Sequence, residues 1–178
     1  ELEEVEANPE DTFSAIDRLR DLVVEHPGDY EVRSLLTGLL SMLQRFEEAL
    51  MLQLDALERD ELNPRIWFEV GSLYLSLKDM DEARIALNRS LELEPNQPNA
   101  HARLATVAME SGDGVEYVRQ MLEAMHDDPR DAEMPAYIAG FLYRLELIEQ
   151  ADDFHSIVDS AAPTSDLAYL LDLLRGVA

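Results

Sequence analysis

The sequence predicts an all-α fold in which antiparallel helix pairs stack into a solenoid, and three observations carry that expectation. Pro95, Pro129 and Pro163 stand 34 residues apart, and self-similarity at such a period marks a stacked repeat. Stepping by 34 also preserves residue character. Val70 maps onto Leu36, Leu104 and Ile138, all apolar, and Gly71 onto Thr37, Ala105 and Ala139, all small. Finally, 47% hydrophobic and 29% charged residues over 178 positions suit a packed core in one domain or one short array.

About ten helices are expected, and each has a local reason. Residues 1–11 carry six acidic side chains with only Leu2 and Val5 as apolar anchors, which reads as an acidic linker or frayed segment. The solenoid spans 12–178, opening with a partial repeat over 12–29 that is a lone second helix. Four full pairs follow over 30–63, 64–97, 98–131 and 132–164, and an unpaired helix over 165–177 ends the array. Pro64, Pro98 and Pro135 fall in the first turn of a helix, where the missing N–H would have no partner anyway. Pro95, Pro129 and Pro163 close second helices, because proline cannot extend the hydrogen-bond ladder. Small residues at the Gly71 and Ala83 slots let paired helices approach to about 8–10 Å. Larger ones at Val70, Tyr74, Leu87 and Leu91 fill the space between pairs.

Two departures carry local expectations. Glu61 stands where a proline would close the first full repeat, so the helix over 46–60 should run long. Tyr117 replaces the small residue of the Ala83 slot, so the 98–131 pair should splay or shift around the phenol.

Trp67, Val70, Gly71, Tyr74, Ala83, Leu87 and Pro95 resemble the tetratricopeptide-repeat (TPR) signature W-x2-L-G-x2-Y, A-x3-F, P, with Val and Leu in the Leu and Phe slots. Arg33, His101 and Pro135 occupy the tryptophan slot elsewhere. The resemblance implies a right-handed superhelix whose concave face is lined by the first helix of each pair and holds a peptide or helix of a protein partner. Carried over slot by slot, the first pair offers Glu31, Leu35, Gly38 and Met42, and the second Arg65, Phe68, Glu69, Ser72 and Leu75. The third offers Arg103, Thr106 and Met109, and the fourth Tyr137, Tyr143 and Arg144. Arginines recur on successive first helices with aromatic residues between them, the residue types enriched at binding surfaces. A ligand with apolar anchors and one or two acidic groups is expected. Some TPR domains clamp a C-terminal carboxylate with Lys and Asn. The lining here has no Lys and only Asn99, so that clamp is not reproduced. A purely structural alternative packs Phe68 and Tyr137 on neighbouring repeats and pairs the arginines with Glu69 and Glu133.

Charge and motifs narrow the function. A net charge of −24 and a pI near 4.2 repel phosphate backbones and anionic lipid, so nucleic acid is excluded as a partner. No apolar run reaches the roughly 18 residues of a membrane span. The absence of Cys removes thiolate chemistry. Neither a phosphate-binding glycine loop nor a nucleophile elbow nor a zinc-protease motif occurs. Asp152, Asp153 and His155 form the one local cluster with metal-ligand chemistry, but His155 falls in a slot that packs between helices while Asp152 projects elsewhere. No metal, cofactor or catalytic residue is therefore expected; His26 and His126 suit helix C-termini.

The expected function is a non-enzymatic protein–protein interaction scaffold. The alternative is a recruitment or regulatory segment of a larger enzyme, such as a transferase, with its catalytic domain outside this chain. Leu167, Leu170, Leu171 and Leu174 form one apolar stripe, while Tyr169, Leu173 and Val177 lie on another face, a surface expected to meet a further repeat or appended domain, or a second copy in self-association. The chain starts at Glu1 without a signal-peptide pattern, so the cytoplasm is expected, or the periplasm if an upstream signal was removed.

Overall fold

The computed structural model describes residues 9–127, which form seven α-helices and, among the described residues, no strand. They are α1 (Pro9–Glu25), α2 (Tyr30–Met42), α3 (Phe46–Leu57), α4 (Pro64–Ser76), α5 (Met80–Leu93), α6 (Pro98–Glu110) and α7 (Gly114–Asp127). The remaining three of the ten expected helices fall in 128–178, outside the described residues. α1 starts at Pro9, within the stretch expected to be linker or frayed.

The period is visible in the helix starts. α2, α4 and α6 begin at 30, 64 and 98, and α3, α5 and α7 at 46, 80 and 114. Asp29 and Asn63 cap α2 and α4 by accepting from Val32 N and Arg65 N, satisfying donors that a helix start leaves open. Pro64 and Pro98 sit in the first turns of α4 and α6.

Each pair turns through one left-handed residue: Gln44 (φ 58°), Lys78 (φ 65°) and Gly112 (φ 77°). The next N–H reaches back to the first helix, Arg45 to Leu40 O, Asp79 to Tyr74 O and Asp113 to Ala108 O, at 2.8, 2.9 and 2.9 Å. Only glycine adopts this backbone without strain. Gln44→Gly is therefore expected to raise the unfolding free energy by about 0.5–1 kcal/mol. Urea denaturation checks it, and a loss of stability would contradict the strain.

α3 corrects the expectation of a long helix: it ends at Leu57, and Glu58 already caps it. Arg59 and Asp60 N–H both turn back onto Ala56 O at 3.1 and 3.0 Å. Trp67 Nε1 donates to Glu61 O at 2.7 Å. The indole thus fastens the α3–α4 loop in the repeat that lacks the closing proline.

The core is a row of small clusters rather than one centre. Ile16, Leu36, Leu40, Ala49 and Leu73 form the first. Ala56, Ile66, Val70 and Ala86 form the second, and Leu75, Ala83, Leu87, Leu104 and Val107 the third. Each joins helices of neighbouring pairs, so the fold is held by nearest-neighbour interfaces. At Gly71 the fit is tightest: a Cβ there would lie 2.6 Å from Leu87 Cγ and 3.1 Å from Leu87 N.

Tyr117 does not splay its pair. It is buried on α7, and α6 and α7 pack as extensively as α4 and α5. The phenol is taken up within the packing of α7 rather than by parting the two helices, while Ala108 stands on α6 in the slot of Tyr74.

Candidate functional site

The first helices α2, α4 and α6 share one face, and a cleft of about 250 Å³ lies along it between Ser34, Thr37, Gly38 and Ser41 of α2 and Phe68, Glu69, Ser72 and Ser76 of α4, with Arg103 of α6 at its edge. Five hydroxyls line it because the slots that face this side carry serine and threonine at successive turns. Gly38 leaves its floor open, since a Cβ there would meet nothing within 4 Å.

Beneath the cleft runs a polar network. The Glu69 carboxylate accepts from Tyr30 OH at 2.8 Å, from Ser34 Oγ at 2.7 Å and from Gln53 Nε2 at 2.5 Å. The same Gln53 nitrogen donates to Thr37 Oγ1 at 2.8 Å. Gln53 is fully buried, and its Oε1 and the Ser72 Oγ are buried with no hydrogen-bond partner among the described residues. Three uncharged donors, Tyr30, Ser34 and Gln53, thus converge on the Glu69 carboxylate.

Burial first, and the Glu69 carboxylate second, push the Tyr30 hydroxyl up to about 12 from its ordinary 10. Because the folded value is the higher one, the stability this bond contributes is complete below pH 10 and is lost as pH rises through 12. Tyr30→Phe should therefore flatten the decline in melting temperature between pH 10 and 12. A variant curve parallel to the wild-type curve over that range counts against the coupling.

The sequence-predicted lining separates into distinct environments. Arg103 is exposed at the cleft edge and makes no hydrogen bond or ion pair among the described residues. Arg65 is engaged: it lies 3.8 Å from Glu31 and its guanidinium sits 5.5 Å over the Tyr30 ring. Neither arginine pairs with Glu69, contrary to the structural alternative, because the three donors already occupy that carboxylate. Phe68 is half-buried, lining the cleft while packing against the third core cluster, so that alternative holds for Phe68 in part. Leu75, expected on the lining, is instead buried within the same cluster.

Thr106 bonds its own helix at Ala102 O, and Met109 remains 44% exposed. On α2, Leu35 is 62% and Met42 81% exposed, two turns apart on one side of the helix. Tyr137, Tyr143, Arg144, Glu133 and the Asp152–His155 cluster lie outside the described residues. Among the described residues no group of three His, Cys, Asp or Glu side chains could hold a metal. None of the described helices is long and apolar enough to cross a membrane.

Sequence reasoning missed Tyr30 and Gln53. A signal for Gln53 exists: it occupies the slot of Leu87, where a buried polar residue needs a partner. Thr37, in the slot of Gly71, is that partner.

Stacked antiparallel pairs with a shared groove along their first helices define a helical-repeat solenoid, a fold in which each unit contacts only its neighbours. Residues 64–97 match the family model of the tetratricopeptide repeat, so this stretch of the chain is similar to one repeat of that family. The chain is 29% identical over 93 residues, 52% of its length, to the type IV pilus assembly protein PilF of Pseudomonas aeruginosa. It is 34% identical over 83 residues, 44% of its length, to the protein O-mannosyl-transferase TMTC3 of Homo sapiens. These stretches cover only 36% and 9% of the two relatives. The crystal structure of MamA superimposes with a TM-score of 0.73 at 15% identity, covering 84% of this chain and 88% of that one, which is a likeness of fold.

Proposed function

We propose that this chain is a non-enzymatic interaction scaffold that holds a peptide or helix of a protein partner along the groove of its first helices. The carrying observation is Arg103: a guanidinium without a partner among the described residues, in a chain of net charge −24, beside a hydroxyl-lined cleft. The Glu69 network explains why it stays open, since a carboxylate held by three donors does not swing across to neutralise it. The partner would place an acidic side chain at Arg103 and apolar side chains against Leu35 and Met42. Phe68, Ser72, Thr106 and Met109 line the path between, and Tyr137, Tyr143 and Arg144 would extend it. Arg65 contributes less, being held already by Glu31 and Tyr30. Nucleic acid does not fit so acidic a surface. The cytoplasm is the proposed compartment, or the periplasm if a signal was removed upstream.

Affinity capture followed by titration of the captured partner tests this reading. Arg103→Glu should weaken binding by about 1–3 kcal/mol, as truncation of an anchoring arginine does. Arg65→Ala should change it much less. Equal affinity for wild type and Arg103→Glu would remove the groove as the site.

A second reading has its own support. Similarity to a stretch of a protein O-mannosyl-transferase favours a recruitment segment within a larger enzyme. The full open reading frame decides between them: a transferase domain joined to this array selects the second reading.

A further inference from the structure

A second cleft, of about 410 Å³, opens on a different side of α6, between α5 and α7. Leu104, Val107 and Ala108 of α6 make its floor. Arg84 and Asn88 of α5 and Asp113, Glu116 and Arg119 around the start of α7 make its rim.

The repeat explains why this cleft exists. One period earlier the same slots hold Leu50 and Leu54 for Arg84 and Asn88, and Tyr74 for Ala108. Tyr74 and Leu50 both pack against the second core cluster there. The third repeat has lost the phenol from its first helix and both leucines from the preceding second helix. The polar surroundings of that phenol are retained. Burial and the carboxylates of Glu82 and Asp79 push the Tyr74 hydroxyl up, and the matching slots carry Glu116 and Asp113. Both line the cleft.

We infer that the α5–α7 cleft is a docking site for a tyrosine side chain supplied by a partner protein, seated where Tyr74 sits one repeat earlier. The apolar floor takes the ring, and the hydroxyl donates to Asp113 or Glu116 at the rim. Arg84 and Arg119 stand where a guanidinium can lie against the ring face. Arg84 is only loosely tied, 3.7 Å from Asp81. Arg119 is hydrogen-bonded to Glu116, which keeps that carboxylate at the rim. A pocket with an apolar floor and a polar rim is the anatomy of an interface anchor point. This site is separate from the first-helix groove and stands whether or not a peptide binds there.

The test uses the whole chain and N-acetyl-tyrosinamide as probe, followed by the methyl resonances of Leu104, Val107 and Ala108. The expected result is saturable shifts at millimolar probe, with N-acetyl-phenylalaninamide and N-acetyl-leucinamide each at least threefold weaker. Two variants close the site. Ala108→Tyr restores the missing phenol within the chain, and Asn88→Phe fills the mouth from an exposed position that does not endanger folding. Both should abolish the shifts. The inference is overturned by shifts that do not saturate, by phenylalanine binding as well as tyrosine, or by shifts that persist in Asn88→Phe. It is equally overturned if residues 128–178 of the same chain already fill the cleft, which would show as contacts from that segment to the Val107 and Ala108 methyls in the unliganded protein.

Discussion

Replacing Gly71 by valine is expected to lower the unfolding free energy by about 2–3 kcal/mol, the range for overpacking a tight contact. The first added carbon would lie 2.6 Å from Leu87 Cγ and 3.1 Å from the Leu87 backbone nitrogen. A flexible side-chain tip could yield cheaply, but backbone cannot, so α4 and α5 must move apart. Leu87 is fully buried, and Leu87→Ala alone should cost about 2–5 kcal/mol through lost burial and a cavity. In the Gly71→Val background that cost should shrink, because the valine occupies part of the space the leucine leaves. Urea denaturation of the four proteins forms a cycle, with an expected coupling of about 0.5–3 kcal/mol. Strict additivity would mean that the two slots do not share one volume.

The second large effect concerns the same two slots one repeat earlier, where Thr37 and Gln53 replace the glycine and the leucine. Their contact is a buried hydrogen bond of 2.8 Å, and Gln53 also donates to Glu69. Gln53→Glu keeps the shape and removes the donor, setting a second carboxylate against the first. The cost at pH 7 should be about 3 kcal/mol, as for a buried charge that loses its compensation. Burial and the neighbouring Glu69 charge raise the new carboxyl above its unfolded value. Its neutral form is thus favoured in the folded state, and stability is greatest below the unfolded value near 4.3 and lost as pH rises. The gap between wild type and variant should therefore narrow from pH 7 to pH 5. Gln53→Met, neutral at every pH, should show no such narrowing. A gap independent of pH would place residue 53 away from Glu69.

These two slots also show how far the sequence reads. Thr37, Gly71 and Ala105 were recognisable as one small position by stepping 34 residues, and the helix starts fall on that period. What the step could not tell is that one pair of slots holds apolar contact and the preceding pair a hydrogen bond to a carboxylate. Glu69 was legible as a groove residue and as a partner for arginine. Its actual donors come from α2 and α3, elements whose approach depends on superhelical packing rather than on position along the helix. The same holds for Leu75, assigned to the lining by helical phase but turned into the core by the neighbouring pair. Tyr117 is a misfit by residue type alone; that α6 and α7 still pack closely with the phenol buried depends on how the two helices face each other.

The sequence alone determined the repeat, its 34-residue period and the helix pairing, because backbone chemistry and side-chain size act locally and recur at fixed spacing. Tertiary structure decided which arginine lacks a partner among the described residues, which carboxylate is occupied, and where a cleft opens between α5 and α7. Those outcomes depend on distances of a few ångströms between helices of different repeats, and hydrogen bonding and close packing are decided at that range.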